Sequence, residues 1–113
     1  MQNAGRLDQR VMLQQREAPA TINAQGEDVS PWEDVAEVWA SADPRRGSEY
    51  FAAAQIQAEG PVLFRIRYRA GVHERMRVLW AGVAYGIAAP PMDAYGLRET
   101  LDLYCTSGGR DGQ

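Results

Sequence analysis

The chain has 113 residues, of which 45% are hydrophobic and 24% charged, with a net charge of −3. That is one domain's length with ordinary core-forming content. It excludes a membrane-spanning helix, since no apolar run reaches 18 residues, and the acidic balance argues against a general nucleic-acid binder.

The opening MQNAGRLDQR lacks the apolar stretch of a secretory signal, so the expected compartment is a cytoplasm. Period-two alternation dominates the rest of the chain. RVMLQQR (Arg10 to Arg16) predicts a strand with Val11 and Leu13 on one face. GEDVSPW (Gly26 to Trp32) is a loop by composition. DVAEVWASA (Asp34 to Ala42) is apolar on nearly both faces and predicts a strand covered on both sides.

SEYFAAAQIQA (Ser48 to Ala58) breaks the alternation and predicts a helix. Phe51, Ala54, Gln55 and Ala58 fall at helical spacing, Ser48 can cap it, Glu49 suits its first turn, and Gly60-Pro61 stops it. Its apolar stripe is thin, and a helix of this length is marginal alone in water. The segment therefore either docks on the domain or stays mobile until a partner orders it.

VLFRIRYRA (Val62 to Ala70) is the clearest strand, with Phe64, Ile66 and Tyr68 on one face and Arg65, Arg67 and Arg69 on the other. MRVLW (Met76 to Trp80) and VAYGI (Val83 to Ile87) come next, joined by a tight turn containing Gly82. AAPPMDAYG (Ala88 to Gly96) is a loop whose prolines end the strand before it. LRETLDLYC (Leu97 to Cys105) closes the series. About six strands with turns between them predict a small barrel or sandwich. Residues 1–107 read as one domain and the Gly-rich 108–113 as a flexible tail.

Few residues carry chemistry. One cysteine, Cys105, and one histidine, His73, form no recognisable zinc site. Cys105 ends an apolar strand and reads as core filler. Trp32, Trp39 and Trp80 are expected in the core or capping it. No phosphate-binding glycine loop, nucleophile elbow or pair of catalytic carboxylates is present, so neither an enzyme nor a cofactor is expected.

All twelve basic residues are arginine, so arginine here is not by itself a sign of phosphate recognition. Three readings stand for Arg65, Arg67 and Arg69. They can form a solvated face paired with carboxylates such as Glu99, Asp102, Asp34 or Glu37. They can form a subunit contact, or they can touch a DNA backbone. Arg45, Arg46, Tyr50 and Phe51 suggest a mobile segment that orders against a partner. A module binding single-stranded nucleic acid would need aromatics among the cations, and Phe64 and Tyr68 point the other way.

The order of these blocks resembles the head–tail joining family of tailed bacteriophages, the head-completion, adaptor or stopper proteins. GRLDQRVMLQ opens the chain, WEDVAEVWASADPRRGSEYFAA comes second, then FRIRYRAGVHERMRVLWAGVAYGI and LDLYC. The resemblance covers roughly residues 5 to 105. It implies a small six-stranded antiparallel β-barrel, mainly β, with one short helix and a long loop. It further implies a homo-oligomeric ring under the portal of a DNA-filled head, placed between a portal-side connector protein and a tail protein, in the virion after assembly in the host cytoplasm. Double-stranded DNA would pass through, and the loop of about Pro44 to Gly60, with Arg45, Arg46, Glu49, Tyr50 and Phe51, would face the channel as its gate. Arg65, Arg67 and Arg69 would then lie in the subunit interface. A tail-terminator or tail-completion protein is the near alternative.

Overall fold

The computed structural model describes residues 7–93 and 95–107; the expected tail, 108–113, lies outside them. Six strands form: β1 (Gln9–Arg16), β2 (Trp32–Asp43), β3 (Val62–Arg67), β4 (Arg77–Trp80), β5 (Val83–Ile87) and β6 (Thr100–Thr106). A single helix, α1 (Pro44–Ala53), lies between β2 and β3. The strands close into an antiparallel barrel in the order β1-β2-β3-β6-β5-β4.

Alternation sets the core, because side chains of one parity point inward. Val11, Leu13, Val62, Phe64, Ile66, Val78, Leu101, Leu103 and Cys105 fill the interior. Phe64 meets Trp80 and Tyr85 edge to face, with centroids 5.5 and 5.3 Å apart. The β4–β5 turn is as expected: Ala81 and Gly82 both have positive φ, 53° and 82°, as a two-residue hairpin turn requires. β5 ends before Pro90 and Pro91, and a lone bridge from Met92 to Asp102 resumes the pairing with β6.

Four expectations change. β2 is not covered on both sides; only Ala40 is buried, and Val35 and Trp39 are exposed. Val35 is the extra residue of a bulge, between Leu13↔Ala36 and Gln14↔Asp34. The outer face of β2 is shielded by long side chains instead of a second layer, with the Arg10 guanidinium 4.7 Å from the Trp39 ring. Trp32 likewise lies outside the barrel beside Arg16 and Arg77, so only Trp80 of the three tryptophans packs on the core.

The helix begins four residues before Ser48. Asp43 is its N-cap, its carboxylate accepting from the Arg46 backbone N–H at 3.0 Å, and Pro44 occupies the first turn, where a missing N–H costs nothing. It ends at Ala53, and Gln55 with φ 59° breaks it before Ala58. β3 stops at Arg67, paired with Thr100, so Tyr68 and Arg69 belong to the loop after it.

An antiparallel barrel sorts its connections by end. Loops 17–31, 68–76 and 88–99 leave at one end, while 44–61 and the 81–82 turn leave at the other.

Candidate functional site

The two stretches singled out by sequence therefore sit at opposite ends of the barrel. At one end is the segment from Pro44 to Gly60. Its first half docks on the outer face of the barrel, mainly on β3. Phe51 and Leu63 are both buried there, outside the cluster that fills the interior. Tyr50 stacks on Tyr104 of β6 with centroids 3.9 Å apart and rings 17° from parallel. Burial holds the Tyr104 phenol above its usual pKa, and the charge of Asp102 adds to this. Gly47 lets the helix come close, since a Cβ there would lie 2.7 Å from the Val62 backbone.

Tyr50 and Phe51 thus serve internal packing, not an open surface. Arg45, Arg46 and Glu49 remain exposed, with Arg45 Nε 3.6 Å from Glu49 Oε2 one helical turn away. Such exposed pairs are worth only tenths of a kcal/mol, about 0.3–0.5. Residues 54–57 continue as an exposed loop, and Ile56 is 52% accessible.

The arginine strand divides. Arg65 is buried, and its guanidinium grips Asp102 of the neighbouring strand with two hydrogen bonds, Nε to Oδ1 at 2.5 Å and a terminal nitrogen to Oδ2 at 2.8 Å. The hydrogen bond to Asp102 raises the Arg65 pKa above its usual value. Asp102 is one of the cross-strand partners expected from sequence. With its side chain buried and paired inside the chain, Arg65 presents almost no surface to a neighbouring subunit, which argues against its place in the expected interface. Arg67 and Arg69 are exposed at the mouth of the barrel.

The Tyr68 N–H donates to the Glu99 carbonyl at 3.0 Å and joins their loop to 95–99. That brings Arg98 into the neighbourhood, together with Tyr95 and Leu97, which are 67% and 63% exposed. At the same end, residues 17–31 form a hairpin arm that extends β1 and β2. A cleft of about 800 Å³ opens at its base, lined among others by Arg16, Asp28, Trp32, His73 and Arg75. Among the described residues no group of three or more His, Cys, Asp or Glu is placed to hold a metal ion. Among the same residues no helix is long and apolar enough to cross a membrane.

A closed six-stranded barrel with one outer helix is what the order of sequence blocks implied, and the family comparison decides the matter. The chain matches the phage head completion protein family over residues 2–108. It belongs to that family. Membership makes it a structural component of phage heads. The solution structure of protein SF1141 from Shigella flexneri 2a is similar, with 30% sequence identity and a TM-score of 0.73. The match covers 96% of this chain and 99% of that one. No curated protein matches.

Two features of this family member are not apparent from sequence reasoning. Arg98 carries no periodic signal, and it is the Arg67–Thr100 and Tyr68–Glu99 pairings that bring its loop to the end of β3. The composition of GEDVSPW indicates a loop but not an arm. The arm's turn is legible in Asn23, whose side-chain oxygen accepts from the backbone N–H groups of Gln25 and Glu27, both at 2.9 Å.

Proposed function

We propose that this chain forms a ring beneath the portal of the DNA-filled head, closes the head and offers the tail its docking surface. The family match over nearly the whole chain carries this reading. The two-ended barrel supports it, because a joining piece needs one surface toward the portal-side connector and another toward the tail. A net charge of −3 on each copy also suits a conduit, since tight phosphate binding needs cations that displace counterions, and DNA must slide here. No enzymatic step and no cofactor enter this role.

In this reading the segment from Pro44 to Gly60 faces the channel. Arg45, Arg46 and Glu49 are its polar surface, and the loop after α1 is its movable part. The thin apolar stripe in the sequence predicts mobility throughout. With Phe51 buried, mobility is expected only beyond Ala53. Hydrogen exchange of the free chain should show protected amides in α1 and fast exchange at Gln57 and Ala58; equal, fast exchange in both would refute the docked helix. Arg67 and Arg69 belong to the subunit contact, and Arg67→Glu should leave the monomer folded and block ring assembly.

The test is electron microscopy of particles from a strain lacking the gene. Tailless heads emptied of DNA are expected. Full heads beside free tails of normal length would move the plug elsewhere and favour a tail-completion role. Ordinary infectious particles would overturn the reading.

A further inference from the structure

The arm projects beyond the barrel and is held by its own ladder. Its strands are held by Glu17 N–H to the Pro31 carbonyl at 2.9 Å, Val29 N–H to Thr21 at 2.7 Å and Asn23 N–H to Glu27 at 2.9 Å. Among the described residues, the hydrogen bonds of 17–31 close on the arm itself or on Arg16 at its base. It exposes Ile22 and Val29, at 56% and 49%. It carries Glu17, Glu27 and Asp28 and no basic residue.

The opposite character lies at the same end of the barrel. Arg67, Arg69 and Arg98 are exposed, and no carboxylate among the described residues pairs with their side chains. Tyr68, Tyr95 and Leu97 stand exposed among them. Apolar groups of this size are no help to a phosphate backbone, but they suit an acidic hairpin that also presents aliphatic side chains.

We propose that the acidic arm of one copy docks on the Arg67–Arg69–Arg98 patch, with its Tyr68, Tyr95 and Leu97, of the next copy. This deepens the ring reading above and rests on it. The topology favours it. The arm leaves from β1 and β2 and the patch from β3 and β6, two positions on around the barrel at the same end. Rotating a copy about an axis along the barrel therefore brings arm and patch together at one level. The two surfaces differ, so the contact is heterologous and repeats until the rotation closes a ring.

The test uses particles carrying Val29→Cys and Leu97→Cys in one chain. The native Cys105 is buried and gives no background. Mild oxidation should give a ladder of covalent oligomers on a non-reducing gel, while either single variant gives none. Arg67→Glu with Arg69→Glu in that background should cut the ladder at least about tenfold, because like charges across a contact cost more than the ~1.4 kcal/mol of one decade. Adding Glu17→Arg and Glu27→Arg should restore it. The protein present in many copies without a ladder would overturn the arm contact and leave the ring standing. Absence of the wild-type protein from particles would overturn both. If the Glu variants keep the ladder but lose affinity for duplex DNA, the patch is a DNA surface and the proposal is wrong.

Discussion

Asp102→Asn is the sharpest test of how this barrel holds its only buried ion pair among the described residues. The Arg65 and Asp102 side chains are 8% and 7% exposed, so water contributes little to either charge. The substitution keeps the shape of the side chain and removes its charge. The guanidinium stays buried with one oxygen to bond and no counter-charge. Breaking a buried pair in this way costs roughly 3–5 kcal/mol. A domain of this size has about 6–17 kcal/mol in total, so the variant folds but melts early, by about 12–20 °C if each kcal/mol is worth about 4 °C. Urea unfolding followed by tryptophan fluorescence measures the loss, with Arg67→Gln as an exposed control that should change stability little. The double variant Arg65→Met, Asp102→Leu should recover most of it, because a well-packed apolar pair often equals a buried ionic one. The pair raises the Arg65 pKa, so on the arginine side its contribution is full through the neutral range and is lost only as pH rises through the folded arginine value. A loss under about 1 kcal/mol for Asp102→Asn would mean that solvent screens the pair, and the reasoning would fail.

Gly47→Ala would place a Cβ 2.7 Å from the backbone of Val62, which cannot give way as a side chain can. It should cost about 1–3 kcal/mol and raise exchange in α1 while barrel amides stay protected; unchanged α1 protection would refute the close approach. Asp28 is held below its usual pKa first by the Ser30 hydroxyl and then by the Ser30 backbone N–H. A depressed carboxylate gives its support above its unfolded value and loses it as pH falls through the folded one, so the arm should hold at neutral pH and loosen only in acid. Ser30→Ala should raise the Asp28 midpoint, seen by carboxyl NMR titration; an unmoved midpoint would remove the hydroxyl from the account. Burial pushes the Cys105 thiol well above its usual pKa, so it should resist alkylation in the native state and react once urea unfolds the barrel. Fast native labelling would place it outside the core.

The strands are legible in the sequence because one face of each is packed inside the barrel. Val11, Leu13, Phe64, Ile66 and Leu103 obey period two for that reason alone. The outer faces are harder to read. β2 looks doubly covered because Trp39 and Val35 are apolar, yet arginine stems and a bulge make them tolerable outside. Three alanines draw the expected helix past its true start at Asp43-Pro44, although a capping carboxylate followed by proline marks a helix start. Arg65, Arg67 and Arg69 look equivalent in sequence. What separates them is the partner strand: Asp102 faces Arg65, whereas Thr100 faces Arg67 and the ladder ends before Arg69. No one-dimensional pattern contains that register.

Closure of the barrel also limits how copies can join. Every strand has a partner on both sides, but β2 pairs with β3 only from Ala40 to Asp43, so backbone pairing by another chain is open only along short stretches such as the earlier part of β2. Loops and outer faces supply the rest of the surface open to assembly. The outer face of β3 and β6 is already occupied by α1, through Phe51 and the Tyr50–Tyr104 stack. That helix and the loop after it are in the proposed function turned to the channel. What remains at the other mouth is the arm, acidic and aliphatic, and the arginine–aromatic patch proposed to receive it. The question raised by three alternating arginines therefore has two answers. Arg65 ties two strands of one copy together. Arg67 and Arg69 have no carboxylate partner among the described residues, and in the proposed contact they are the ones to reach the next copy.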